Sequence, residues 1–224
     1  MGDAAIEIHD VDLRAARRPD GGAVPDPEPG FARVADGRIV TGYEAWIRAR
    51  VEPRSVHHRF WSELDTTPLP GPLPGDLSTA DLAHAQLTSL WDGFGPGVDR
   101  VALAVPGVWD ERRLGLTLSV ARASGIPVVA LVDTAVAGGA SAPGPAGPRV
   151  HVDVRLHEAV VTGLEVGDRV VRGAVEEIPG AGMLAIRAAW ARWAAGEFVQ
   201  QTRFDPLDRA DTEQALVLAL DGVV

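Results

Sequence analysis

With 224 residues, 46% of them hydrophobic, the chain is long enough for one large or two small domains and apolar enough to build a core. A net charge of -10 argues against a surface for nucleic acid or anionic membrane, and the lack of cysteine excludes disulfides and thiolate zinc sites. All 21 Lys-or-Arg positions are arginine, so no lysine can act as a phosphate-loop cation, Schiff base or general base. No apolar stretch has the length of a membrane span, and MGDAAIEIHD lacks the basic and apolar regions of a signal peptide, so a cytoplasmic protein is expected.

AIEIHDVDL (5–13) alternates like a strand, and PDGGAVPDPEPG (19–30) is loop or hairpin tip. FARVADGRIVTG (31–42) reads as two short strands joined by an Asp36-Gly37 turn. YEAWIRAR (43–50) has helical spacing and stops before Pro53. A stiff Pro-rich loop covers 68–77. Ser78 with Asp81 then forms a capping box opening a helix through Leu82, Ala85 and Leu90 to Trp91.

DRVALAVPG (99–107) is a buried strand, and Asp110 can cap a helix running to about Ser124. The LGLTLSV core of that helix also alternates like a strand, but its length and flanking Gly125 and Pro127 favour helix. GIPVVALVDTAVAGG (125–139) is a strand ending at Asp133, followed by a short Ala/Gly-rich helix; ligands bind beyond such strand ends in open α/β sheets. SAPGPAGP (141–148) is an internal boundary in which nothing can pair regularly. Strand material fills 149–178, with Gly163 a candidate bulge and Gly167-Asp168 a hairpin turn. The segment 181–201 is a helix whose Met183, Ile186, Trp190, Trp193 and Phe198 form one stripe, read as core; core is also the default for Trp46, Trp61, Trp91 and Trp109. A last helix spans about Arg209 to Leu220.

This order, with FARVADGRIVTGYEAWIRARVEP, VALAVPGVWDERRLGLTLSVARASGIPVVALVDTAVAGGA, VHVDVRLHEAVVTGLEVGDRVV and VEEIPGAGMLAIRAAWARWAAGEF in it, resembles the ATPase domain of DnaK-type heat-shock chaperones. These belong to the heat-shock protein 70 family and the actin-like ATPase superfamily. The resemblance implies an α/β, actin-like (ribonuclease H-like) fold, with residues 1–140 a first lobe, 141–148 a linker and 149–224 the beginning of a second lobe. It also implies two Gly/Thr-rich hairpins whose backbone N–H groups cradle ATP phosphates, where glycine is needed because a side chain would take the phosphate's place.

Carried across residue by residue, Glu7 falls at the first hairpin's aspartate and His9 at its first glycine. Asp153 keeps the second hairpin's aspartate, while Arg155, Leu156 and His157 stand where three glycines belong. Asp133 and Thr134 take the Asn and Glu of an Asn-Glu-Pro motif, and Arg59 lies near the catalytic lysine position. Alternation places His151, Asp153, Arg155 and His157 on one face of their strand and Val150, Val152, Val154 and Leu156 on the other. If the two hairpins face each other, Glu7, His9, Asp133, Thr134, Asp153 and Arg155 line a former nucleotide cleft. Its charged residues then form either a metal or anion site or a self-neutralising ion-pair cluster, with Arg155 pairing Asp153 or Glu7; the cluster is the favoured reading.

The expectation is a scaffold whose nucleotide site is degenerate, with no cofactor, binding a protein partner and forming a homodimer over an unfinished sheet edge. Its first alternative is an ATP- and Mg-binding ATPase with divergent loops, seen as a fragment. Its second is a metal- or small-molecule-binding enzyme using His9, His157 and Asp153. His57-His58 reads as a weak ligand motif because neighbours in a regular element point apart.

Overall fold

The computed structural model describes residues 2–18, 25–70 and 76–221, so the loops expected over 19–30 and 68–77 fall partly outside the described residues. The fold is mixed α/β. A four-stranded sheet is built from β1 (Asp3–Glu7), β2 (Arg14–Arg18), β6 (Arg100–Val105) and β7 (Val128–Asp133), in the order β2-β1-β6-β7. β1 and β2 pair antiparallel, while β6 runs parallel to both β1 and β7. The strand expected over 5–13 therefore ends at Glu7, because the chain turns through His9–Asp12 before Leu13 and β2.

A small sheet of β3 (Ala32–Ala35), β4 (Arg38–Thr41) and the two-residue β5 (Val56–His57) carries the expected hairpin. Its turn residues Asp36 and Gly37 both have positive φ, the geometry that makes Asp-Gly favourable there. The helix expected over 43–50 is shorter, since α1 covers only Tyr43–Trp46 before the chain breaks into turns.

α2 (Thr79–Phe94) opens with the anticipated capping box: the Ser78 side chain accepts from Asp81 N–H, and the Asp81 carboxylate accepts from Ser78 N–H at 2.8 Å. α3 (Glu111–Ala123) is capped by Asp110, which accepts the Arg113 N–H at 2.8 Å, and α4 (Thr134–Ser141) follows β7. Among the described residues no helix is long and apolar enough to cross a membrane.

The third sheet, β8 (Gly147–Val154), β9 (Glu158–Val166) and β10 (Val170–Pro179), is an antiparallel meander ordered β10-β9-β8. The boundary expected at 141–148 narrows at both ends: α4 includes Ser141, while Gly147 and Pro148 already pair with Val166 and Glu165. The bulge expected at Gly163 lies on the opposing strand instead, between Arg172 and Val175, while Gly163 itself pairs regularly with Val150.

α5 (Met183–Thr202) and α6 (Ala210–Asp221) close the chain. One core joins β1, β6, α2 and α3, with Trp61 stacked on Trp109. A second core gathers Phe31, Trp46, Val56 and Leu156 against Ala191 and Ala195 of α5 and Leu216 and Val217 of α6. The stripe read as core on α5 is overturned, because Trp193 is 71% exposed and Trp190 and Phe198 are exposed as well. The helix buries its small alanine face instead, which lets it approach α6 and Trp46 closely; Arg187 caps that contact, 4.8 Å above the Trp46 ring.

Candidate functional site

The two hairpin turns after β1 and after β8 meet, although their strands belong to different sheets. His9, two residues beyond β1, accepts the Val11 N–H on Nδ1 at 3.3 Å, which leaves Nε2 to donate to Asp153 Oδ1 at 2.7 Å. Burial opposes ionisation of Asp153, but the His9 hydrogen bond and the nearby Arg155 charge outweigh it and hold the carboxyl below its ordinary range.

Arg155 is the centre of the site. Its side chain is 1% exposed and faces carboxylates of Asp10 at 3.4 Å, Asp153 at 3.7 Å and Glu158 at 3.8 Å. Glu158 is pushed up by burial and by the like charge of Glu177. Asp10, as deeply buried as Arg155, also uses Oδ1 to accept the backbone N–H of Leu156 at 2.9 Å. A carboxylate from the first turn thus occupies an amide of the second.

The remaining side chains of the β8–β9 turn are engaged too. Leu156 is fully buried in the second core. His157 stacks on His58 with ring centroids 5.0 Å apart, within hydrogen-bond distance of its ring nitrogen (3.2 Å) and its carbonyl oxygen (2.9 Å). Burial, together with the neighbouring His157, Arg59 and Arg50, lowers the His58 pKa to about 4. Gly182 seals the turn from the far side, where an added Cβ would overlap the backbone of His157 and Glu158.

The other expected residues lie apart from this cluster. Asp133 caps α4, accepting from Ala135 N–H at 2.8 Å and Val136 N–H at 3.3 Å, and pairs with Arg172 Nη1 at 2.6 Å. Glu7 and Thr134 line a separate cavity of about 540 Å³ with Arg14 and His151, walled mostly by alanine and proline. Glu7 is therefore not the partner of Arg155: β1 stops at Glu7, and the next turn carries Asp10 inward instead. Arg59 pairs on the surface with Glu63 at 3.3 Å.

His9 and Asp153 are joined, but His157 turns to His58, so the three do not converge as a ligand set. Among the described residues no group of three or more His, Asp or Glu is placed to hold a metal. Sequence reasoning did not single out Asp10, Glu158 or Arg172 and undervalued His58. Asp10 carried a signal: it is the first carboxylate after an aliphatic strand, in a turn already expected to face the second hairpin.

Chemically, the cluster surrounds one guanidinium with three carboxylates and spends a turn amide on one of them, which disfavours an added phosphate. No protein-family model matches this chain, and no curated protein is detectably similar to it in sequence.

Proposed function

We propose that the chain is an actin-like α/β protein of the kind seen in DnaK-type chaperone ATPase domains, that its nucleotide chemistry is lost, and that it works in the cytoplasm as a non-catalytic, protein-binding scaffold. The antiparallel β1–β2 hairpin extended by parallel β6 and β7 supports the fold side of this reading. One observation carries the functional side: the Asp10 carboxylate sits on the Leu156 amide, beside a buried Arg155, where the resemblance calls for a phosphate on a glycine loop. A protein anion and its own arginine take the place of ligand and loop, and the Leu156 amide is occupied by that anion.

The test is Mg-ATP titration by calorimetry on the wild type and on Arg155→Gly. The wild type is expected to give no binding heat, and any gain in Arg155→Gly identifies the arginine as the group filling the phosphate position. Micromolar binding by the wild type overturns the reading.

A second reading, an ATP-binding ATPase with divergent loops, draws on one observation, the cavity beside Glu7 and Thr134, whose volume falls in the range of ligand sites. It predicts wild-type binding that Glu7→Gln weakens.

A further inference from the structure

β8 has one paired edge and one bare one. Its partner is β9, and among the described residues no strand pairs with its other side. The direction of the bare groups follows from the turn. Arg155 N–H donates to Glu158 O at 2.8 Å, and the register then pairs Asp153 with Val160, His151 with Thr162 and Arg149 with Leu164. Bonded and non-bonded pairs alternate in an antiparallel ladder, so those odd-numbered residues turn their backbone groups to β9. Val150, Val152 and Val154 turn theirs outward. The side chains of Val150 and Val152 are also 69% and 58% exposed.

We propose that this edge pairs with the same edge of a second copy of the chain, antiparallel about a two-fold axis at His151, joining two meanders into one six-stranded sheet. In that register Val150 and Val152 of one copy form bonded pairs with Val152 and Val150 of the other, giving about four backbone hydrogen bonds. The exposed valines of both copies become neighbours on one face. On the other, Arg149, which donates to the Ala142 and Pro145 carbonyls of its own chain, lies opposite Asp153 of the second copy, held by its own His9 and Arg155, so that register opposes no like charges. Sliding by two residues one way sets Arg149 against Arg155 of the second copy; sliding the other way leaves Asp153 opposite Gly147.

The other edges of the two larger sheets lack this self-complementarity. β2 carries Arg14, Arg17 and Arg18 among its five residues, so pairing it with itself opposes like charges. β10 is broken by its irregularity between Arg172 and Val175 and carries the adjacent Glu176 and Glu177. β7 offers one charged residue, Asp133, and no opposite charge to face it.

The absence of cysteine makes the register directly testable. Residue 151 would face itself in a non-bonded pair with Cα atoms about 4.5 Å apart, within disulfide reach. Light scattering on the wild type is expected to give the mass of two chains at high concentration. His151→Cys is expected to form a covalent dimer under mild oxidation, while the control Val129→Cys, exposed on β7, stays uncrosslinked. Arg149→Glu places like charges opposite one another at both ends of the contact and is expected to raise the dissociation constant about tenfold.

A wild-type monomer throughout the dilution series overturns the proposal and assigns the edge to another chain or segment. A dimer in which His151→Cys fails to cross-link overturns it equally. Neither measurement involves nucleotide, so either failure leaves the proposed loss of ATP chemistry to stand or fall on its own titration.

Discussion

β1 and β8 begin alike and end differently. Each opens an antiparallel hairpin, each alternates more and less exposed residues, and each runs into a turn carrying a histidine and a buried charge. β1 has β2 on one side and β6 on the other, and its Ile6 is wholly buried beneath α2 and α3. β8 has a neighbour on one side only, and its Val150 and Val152 face solvent. β1 is therefore held along both edges by its sheet, while β8 is held along one edge by β9 and again at its end, where Arg155, Leu156 and His157 bind the turn to Asp10, the second core and His58. A strand can be fixed by its turn when its edge and outer face are left open.

The most direct way to break this contrast is at Arg155. Replacing it with leucine removes the one guanidinium among Asp10, Asp153 and Glu158 and leaves carboxylates buried without compensation. The expected loss is about 3–5 kcal/mol in urea denaturation, the scale for removing one partner of a buried ion pair. A loss under about 1 kcal/mol would mean that β8 does not depend on its turn.

Ile6→Ala tests the other half. Ile6 is fully buried between sheet and helices, so truncation should cost about 2–5 kcal/mol, whereas Val152→Ala at the matching alternation on β8 should cost less than about 0.5 kcal/mol in the monomer at low concentration. Equal losses at the two positions would erase the comparison.

Acid should loosen the β8 end before the β1 sheet. His58 has a folded pKa of about 4, below its ordinary value of about 6.5, so the folded state binds its proton later than the unfolded chain does. The associated stability is complete above about pH 6.5 and is lost as pH falls from there toward 4, amounting to no more than about 3 kcal/mol. Asp153, also depressed, adds a loss of the same sign at lower pH. His58→Phe, which keeps an aromatic ring against His157 and Phe31, should flatten the pH 6.5–4 portion of the stability curve. An unchanged slope would assign the acid sensitivity to another group.

Much of the element order was legible in the chain, because its signals are local: the Ser78–Asp81 box, the Asp110 cap, the Asp36-Gly37 turn and the Gly167-Asp168 hairpin each settle a boundary by themselves. The shared face of Asp153 and Arg155 was legible as well, from alternation along 150–156, whereas their meeting with His9 was expected only from the resemblance. What stayed hidden depends on partners distant in sequence. Arg155 could be expected to find a carboxylate, but choosing Asp10 over Glu7 required knowing that β1 stops at Glu7. Nor could alternation say which face of β8 meets the protein. Here the polar face turns inward toward α4 and the first turn, while the valine face looks out.

The same ambiguity governs α5, which supplies the smallest expected effect. Aromatic residues at helical spacing ordinarily mark a buried stripe, yet α5 buries Ala191 and Ala195 and leaves Trp193 outside. Trp193→Gln should therefore change the stability of the monomer by no more than about 0.5 kcal/mol, while Ala191→Leu, which forces extra methylenes against Trp46 and α6, should cost about 1–3 kcal/mol. Chemical denaturation of both variants at low protein concentration reads this directly. The reverse ranking would mean that the tryptophan face is the packed one. α5 would then have to cover an apolar surface such as the open valine face of β8, and the unequal treatment of β1 and β8 would disappear.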